Sequence, residues 1–241
     1  METSTYVALS GQLALDKRMA ALAQNIANAR TAGYRAQIVD FKSVLSQAGS
    51  TPTAFASASK DYVSEASGGM VQTKSPLDIA VKGNGFLAFQ STSGTYYSRD
   101  GRLTLSTDGR LLNAAGDSLL DSGGGAVQVD PANIDLSISA TGTVLQGGKK
   151  VSQVGLFDVD LNQGFQRTGS SGFTPKAEAT PISDFNSNGV LQGYYEDSNV
   201  NPATSMTTLI ELTRAFEAAS NLSDKAGDAQ KSAIDILGSN N

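Results

Sequence analysis

The chain has 241 residues, with 18 Lys and Arg against 23 Asp and Glu, a formal net charge of −5. It contains no His and no Cys, which excludes imidazole-activated nucleophiles, disulfides, zinc–thiolate sites and iron–sulfur clusters. Only 17% of its residues are charged, below the roughly 25% of an average soluble domain, and the acidic balance disfavours a general phosphate-binding surface.

Residues 1–16 carry no basic start, and Ser10, Gly11 and Gln12 interrupt the apolar positions. No cleaved secretory signal is therefore expected. No stretch approaches the ~20 apolar residues of a membrane helix. Leu15, Met19, Leu22 and Ile26 recur at steps of 4, 3 and 4, the seam of a coiled-coil-like helix. Leu9, Leu13, Ala20, Ala23 and Ala27 form a second stripe beside it. This pattern predicts a helix from about Ser4 to about Arg30, with Thr31-Ala32-Gly33 as its stop, because Gly adopts the left-handed C-cap conformation freely.

Residues 34–75 are rich in Ser, Thr and Ala and are broken by Gly49, Pro52, Gly68 and Gly69, with Pro76 just beyond. They read as an extended linker, with a strand near Met70–Thr73 and a short helix around Phe41, Val44 and Leu45. From Leu77 to about Tyr195 the pattern is β. Leu77, Ile79 and Val81 alternate with Asp78 and Ala80, and Phe86–Gln90 follows. Tyr96-Tyr97 leads to Asp100-Gly101, and Leu103 and Leu105 lead to Asp108-Gly109, two hairpin-type turns. Further strands are predicted at 111–112, 119–120, 126–129, 134–138, 154–159 and 190–195. Short strands at this spacing predict a sandwich or an irregular barrel.

Asn201-Pro202 is a strong helix start, a capping side chain followed by a residue pre-set for the first helical position. Leu209, Leu212, Phe216, Ala219, Ala226, Ala233 and Leu237 then follow heptad steps, with Ser223 and Gln230 on the same seam. About 36 residues at ~1.5 Å each give a rod of ~54 Å, which needs a partner helix. Charge favours the N-terminal one. Residues 1–35 hold four bases against two acids, and residues 202–241 hold five acids against three bases. The expected fold class is α+β, with the two terminal helices paired and an all-β domain inserted between them.

Several fragments of chemical motifs fail on context. Gly83-Asn-Gly-Phe-Leu-Ala88 fits a loose dinucleotide fingerprint, but the residues after it continue as a strand where a phosphate-binding helix is required. Asp184-Phe-Asn-Ser-Asn-Gly189 matches half a calcium loop, whose twelfth position is Tyr195, with Glu196 one residue late. Asp158, Asp160, Asn162 and Gly164 form a second near miss. Ser57-Ala-Ser-Lys60 fits S-x-x-K without its companion motifs, and the sequon Asn221-Leu-Ser223 lies mid-helix. No catalytic residue, cofactor or metal site is expected, and no enzyme.

Three blocks together resemble the flagellar basal-body rod and hook proteins, the axial proteins of the flagellum. The first runs from Ala8-Leu-Ser-Gly11 through Leu22-Ala-Gln-Asn25-Ile-Ala-Asn28 to Gly33-Tyr34. The second is Ser75-Pro-Leu-Asp-Ile-Ala-Val-Lys-Gly-Asn-Gly-Phe86, with Tyr97-Ser-Arg-Asp-Gly101 and Leu105-Ser-Thr-Asp-Gly109. The third runs from Gly189 through Asn199-Val-Asn201-Pro202 to Arg214-Ala-Phe-Glu217. Gln24-Asn25 and Gly11-Gln12 depart from the commoner Asn-Asn and Gly-Met. The resemblance implies an inner axial domain made of a helix over 1–33 and a helix over 198–241, a linker over 34–75 and an outer β domain over 76–197. It marks Asn25, Asn28, Gly33, Tyr34, Asn199, Asn201 and Arg214 as motif residues. The expected interface, between subunits or between the helices, comprises Leu9, Leu13, Leu15, Met19, Leu22 and Ile26 with Leu209, Leu212, Phe216, Ala219 and Leu237.

The function implied is a structural rod subunit that polymerises through its terminal helices and transmits torque. The short chain, Tyr6 and Ser198-Asn-Val-Asn-Pro202 favour the proximal part of the rod, with a distal rod or hook subunit as the alternative. Its partners would be copies of itself, other rod proteins and basal-body ring proteins, with no nucleic acid and no membrane insertion. Its place would be the periplasm-spanning rod, reached through the flagellar type III apparatus without a cleaved signal peptide. A reading from a different class is a secreted β-rich module binding glycan or peptidoglycan, with helical oligomerisation arms.

Overall fold

A computed structural model describes residues 2–46, 53–133 and 135–238. The chain divides into two units, one holding Met1–Ala27, Gln37–Tyr62 and Asn201–Asn241, the other Asn28–Ala36 and Val63–Val200.

The first unit contains α1 (Glu2–Ala27), the strands β1 (Gln37–Ser46) and β2 (Thr53–Val63), which pair as a two-stranded sheet, and α2 (Pro202–Gly238). The start of α2 follows from its sequence. Asn201 Oδ1 accepts the backbone N–H groups of Ala203 and Thr204 at 3.0 and 3.3 Å, and Pro202 fills the first helical position, where a missing N–H costs nothing. α1 ends at Ala27, three residues earlier than the seam suggests. Gly33 does take a left-handed φ of +67°, but it lies six residues beyond the helix and is not its cap.

The expected short helix around Phe41, Val44 and Leu45 is instead part of β1. Buried Val39 and half-buried Phe41 alternate with exposed Ile38, Asp40 and Lys42, the two-residue period of a strand. Asn25 joins α1 to this strand. Its amide nitrogen donates to the Gln37 carbonyl at 2.8 Å, and its amide oxygen accepts the Gln37 N–H at 2.9 Å. A carboxamide repeats the donor and acceptor of a peptide group, so one side chain acts as a short extra strand.

The second unit is built on β3 (Met70–Gln72), β4 (Ile79–Lys82), β5 (Phe86–Ser91), β6 (Gly94–Ser98), β7 (Thr104–Leu105), β8 (Leu111–Leu112) and β9 (Ser118–Leu119). These are followed by β10 (Leu136–Ile138), β11 (Thr143–Gln146), β12 (Lys149–Gln153), β13 (Leu156–Asp158) and β14 (Phe165–Thr168). The last four are β15 (Gly172–Pro175), β16 (Thr180–Pro181), β17 (Gly189–Gln192) and β18 (Tyr194–Glu196). The largest sheet has the order β14-β15-β6-β5-β9-β8-β7, with β13 pairing both β5 and β16. β10-β11-β12 form a second sheet, and β17-β4 and β18-β3 two antiparallel pairs. This is an irregular assembly of short antiparallel strands, without a βαβ unit among the described residues.

β5 is its centre. Leu87 and Phe89 join one buried cluster with Ile79, Val81, Leu111, Leu119 and Val127. Phe86 and Ala88 join the other with Phe157 and Phe173. A strand covered on both faces has no polar side, which explains the unbroken apolar run at 86–89. It also settles the glycine-rich approach at 83–85, since a strand follows it and no helix N-terminus faces a phosphate.

Asp108-Gly109 does link the paired strands β7 and β8. Asp100-Gly101 does not make a hairpin; Gly101 instead accepts the Ile79 N–H through its carbonyl at 2.9 Å. The segment 126–129 makes only two isolated bridges, Leu120 with Ala126 and Arg110 with Gln128. Ile134 of the expected strand 134–138 lies outside the described residues. The β11–β12 hairpin is not anticipated by apolar pattern. Its turn is Gly147-Gly148, with φ of +55° and +74°, the geometry that hairpin twist prefers. Asp184 and Asp160 serve local turns. Asp184 Oδ1 accepts the Asn186 N–H at 3.0 Å, and Asp160 caps the 3-10 turn Leu161–Gln163.

Candidate assembly surface and buried charge triad

The helices of the first unit bury only part of their apolar surface within it. Ala14, Ala21 and Leu212 are buried, while Leu15, Met19, Leu22, Ile26, Leu209, Phe216 and Ala219 are half-buried. The helices pack against one another, and Thr213 Oγ1 donates to Met19 Sδ at 3.9 Å. The first sequence seam therefore lies on the covered side. Leu9 and Leu13 lie off that side: they are 47% and 63% exposed, and Tyr6 is 62% exposed.

At about 100° per residue, Tyr6, Leu9 and Leu13 form one stripe, its centre about a quarter-turn from that of Ala14 and Ala21. α2 has its own exposed apolar pair one turn apart, Met206 and Ile210, and Leu222 further along. Leu237 and its seam neighbours Ala226, Gln230 and Ala233 lie within α2, but their side chains fall outside the described residues. Arg214 is exposed.

In the second unit three of the motif residues, Gly33, Tyr34 and Asn199, lie around a buried ion cluster. Glu196 closes β18 with no accessible surface. Its Oε1 accepts Arg35 Nη2 at 2.8 Å, and its Oε2 accepts Arg99 Nη1 at 3.1 Å. The Gly68 N–H donates to Oε1 at 2.9 Å. Arg35 Nη1 donates to the carbonyls of Glu65, at 2.6 Å, and Ala66. Arg99 Nη1 donates to the Val81 carbonyl at 3.2 Å and Nη2 to the Gly83 carbonyl at 2.7 Å. Burial pushes both guanidiniums below their ordinary pKa, against the attraction of Glu196, and Arg99 comes down to about 10.

Gly33, Tyr34 and Asn199 enclose this cluster. The Gly33 N–H donates to the Glu196 carbonyl at 2.8 Å. A Cβ on Gly33 would stand 2.2 Å from the Asp100 nitrogen, so both the close approach and the positive φ require glycine. Tyr34 is fully buried beneath the Arg167 guanidinium, 4.6 Å from its ring centre. Burial pushes its phenol up, partly offset by Arg167. Asn199 accepts the Ala36 N–H at 2.7 Å and donates to the Ala66 carbonyl at 2.7 Å. Asn28 acts locally, its Oδ1 accepting Thr31 Oγ1 at 3.1 Å.

Arg35, Arg99, Arg167 and Glu196 were not singled out by pattern as a site. Glu196 stood out only as a misplaced calcium ligand and otherwise lay within the third motif block, as Arg99 lay within the second. The cluster ties together segments more than a hundred residues apart. It offers a paired carboxylate and three cations, with no activated nucleophile. Among the described residues, no group of three or more acidic side chains could hold a metal, and no helix is long and apolar enough to cross a membrane.

Comparison with known proteins places this arrangement. Residues 6–35 match the family model for flagella basal body rod proteins, residues 80–146 the flagellar hook protein FlgE/F/G D1 domain, and residues 191–236 the flagellar basal body rod FlgEFG protein C-terminal region. The flagellar basal-body rod protein FlgF of Mesorhizobium japonicum is 39% identical over 239 residues, 99% of either chain. That of Rhizobium meliloti is 37% identical over 238 residues, again 99% of either chain. The flagellar hook protein FlgE of Brucella melitensis is 30% identical over 194 residues, 78% of this chain but 48% of the hook protein. The fold, the motif residues around Glu196 and the end-to-end match together show that the chain belongs to the flagellar basal-body rod and hook protein family.

Proposed function

We propose that this chain is a structural subunit of the proximal rod of the flagellar basal body, with no substrate and no turnover. Relatives named as rod proteins match it from end to end, whereas it spans about half of the hook protein, which favours rod over hook. In this reading residues 1–33 and 198–241 pair as a coiled-coil-like inner axial domain. Residues 34–75 link it to a β domain over 76–197. The subunit reaches the periplasm-spanning rod through the flagellar type III apparatus, without a cleaved signal peptide. Its partners are copies of itself, other rod proteins and basal-body ring proteins.

The observation that carries the assembly reading is the apolar surface left open on both terminal helices, Tyr6, Leu9 and Leu13 on α1 and Met206 and Ile210 on α2. Neighbouring helices in a tube would cover these stripes, while the half-buried seam of Met19 and Phe216 holds each subunit's own helices together. A charge on an open stripe leaves the monomer folded but meets an apolar neighbour on assembly. Leu13→Asp and Ile210→Asp should therefore abolish incorporation into isolated basal bodies, with circular dichroism and melting temperature of the free subunit unchanged. Phe216→Asp should block assembly too, by breaking the seam. Basal bodies carrying Leu13→Asp at normal occupancy would refute the assignment.

A further inference from the structure

A cavity in the second unit has no part in the assembly reading. Its volume is about 410 Å³, within the range of small-molecule sites. Arg35 and Arg99 line it, beside Val63, Phe86 and Val159. All five are buried, so they form its floor and inner wall. Glu65, Asp158 and Asp160 also line it and are exposed, so they stand at its mouth.

The floor is short of negative charge. Two buried guanidiniums face a single buried carboxylate, Glu196. The Nε–H groups of both Arg35 and Arg99 are buried with no acceptor among the described residues. A buried donor without an acceptor, and a buried cation without a counter-charge, are both costly. Arg99 also stacks on Phe86, 4.9 Å from the ring centre, which fixes the guanidinium plane. One added carboxylate would neutralise the floor, and the apolar wall suits an aliphatic body behind it.

The mouth has the opposite character. Asp160 is held by the Asn162 N–H and the Gln163 amide at 2.9 and 2.8 Å, bonds that keep it ionised. With Glu65 and Asp158 it makes a negative rim, which disfavours a multivalent anion and favours a ligand with a cation at its outer end.

We infer that this cavity binds a small zwitterion of the ω-amino carboxylate or short-peptide class. Its carboxylate lies against Arg35 and Arg99, and its ammonium lies among Glu65, Asp158 and Asp160. This goes beyond the rod reading and does not depend on it.

The test is a titration of the full-length subunit, followed through the arginine Nε–Hε resonances. Arg35→Lys and Arg99→Lys assign the two signals. The ligands are 6-aminohexanoate, hexanoate, hexylamine and inorganic phosphate. 6-Aminohexanoate should shift both signals saturably, hexanoate should bind more weakly, and hexylamine and phosphate should give no saturable shift. Glu65→Gln combined with Asp158→Asn changes only exposed side chains and leaves the fold intact. Each lost rim contact should weaken 6-aminohexanoate binding by up to about five-fold, bringing it towards hexanoate. Absence of a saturable shift, an equal response to phosphate, or unchanged 6-aminohexanoate affinity in the rim variant would each overturn the inference.

Discussion

The β unit and the helical unit finish their cores differently. Ile79, Val81, Leu87, Phe89, Leu111, Leu119, Val127 and Val144 of the β unit have no accessible surface. In the helical unit the best-covered large apolar side chain among the described residues, Leu212, keeps 6%, while Leu13 keeps 63%. The reason is architectural. β5 has elements on both faces, so each of its apolar residues meets a neighbour. Two helices and a two-stranded ribbon can close over one side only, and such a ribbon alone is marginal in water. The helical unit therefore leaves apolar side chains open on both terminal helices, Tyr6, Leu9 and Leu13 on α1 and Met206 and Ile210 on α2.

That contrast makes unequal demands on mutation. The largest expected effect is at Glu196. Replacing it with Ala leaves Arg35 and Arg99 buried without their counter-charge, and loss of one partner from a buried ion cluster costs about 3–5 kcal/mol. Urea unfolding of the isolated subunit checks this; a loss under about 1 kcal/mol would place the cluster in the class of surface pairs. Phe89→Ala should cost a similar ~3–5 kcal/mol through lost burial and the cavity left behind. Its ring stacks on Tyr96 with centroids 5.8 Å apart, so near-UV circular dichroism of the tyrosines should weaken as well.

The difference between the units also decides what the sequence could reveal. α2 was legible because its signals are local: Asn201 caps, Pro202 starts, and the heptad steps continue. The β5 run was legible as a strand because it ends in turn residues. Phe41, Val44 and Leu45 misled because their spacing fits a helix, and the deciding pair, Val39 and Phe41 facing one way, shows only once one side is covered. The β11–β12 hairpin was carried by Gly147-Gly148, a signal that apolar periodicity ignores. Of the site, Tyr34 and Asn199 were reached through resemblance alone, and Gly33 also as the expected stop of the first helix. The Arg35–Glu196–Arg99 cluster was invisible for a physical reason: its members lie up to 161 positions apart, and no local pattern encodes a pairing made by tertiary packing. Ala14 and Ala21, the buried small residues of α1, are one heptad apart and could have been found by that step.

A smaller effect separates the units by pH. Tyr96 donates to Asp117 Oδ2 at 2.7 Å and accepts from Asn113 Nδ2 at 2.5 Å. Burial, then the Asp117 hydrogen bond, pushes its phenol well above the ordinary value. With the folded pKa above the unfolded one, this contribution is fully present below about pH 10 and is lost as pH rises further. Burial raises Tyr34 and Tyr97 likewise, and the lowered Arg99 acts in the opposite sense above about 10. Comparing wild type with Tyr96→Phe isolates one group. Between pH 9.5 and 11 the variant should lose less stability, by at most about 1.4 kcal/mol per pH unit, after a fixed loss at neutral pH from the broken hydrogen bonds.

The smallest effect is the most discriminating. Leu13→Ala removes an apolar side chain that the subunit's own fold barely covers, so the free monomer should change by no more than about 0.5 kcal/mol. In a polymer the same leucine would be buried, and full burial of such a side chain is worth about 1.5–3 kcal/mol, repeated at every subunit. Ultracentrifugation of assembled material against free subunit measures the two states separately. A monomer that loses as much as Phe89→Ala would mean that α1 already buries Leu13 within its own unit, and the contrast between the units would fail. An unchanged monomer that no longer assembles would place the missing half of the helical core on a neighbouring chain.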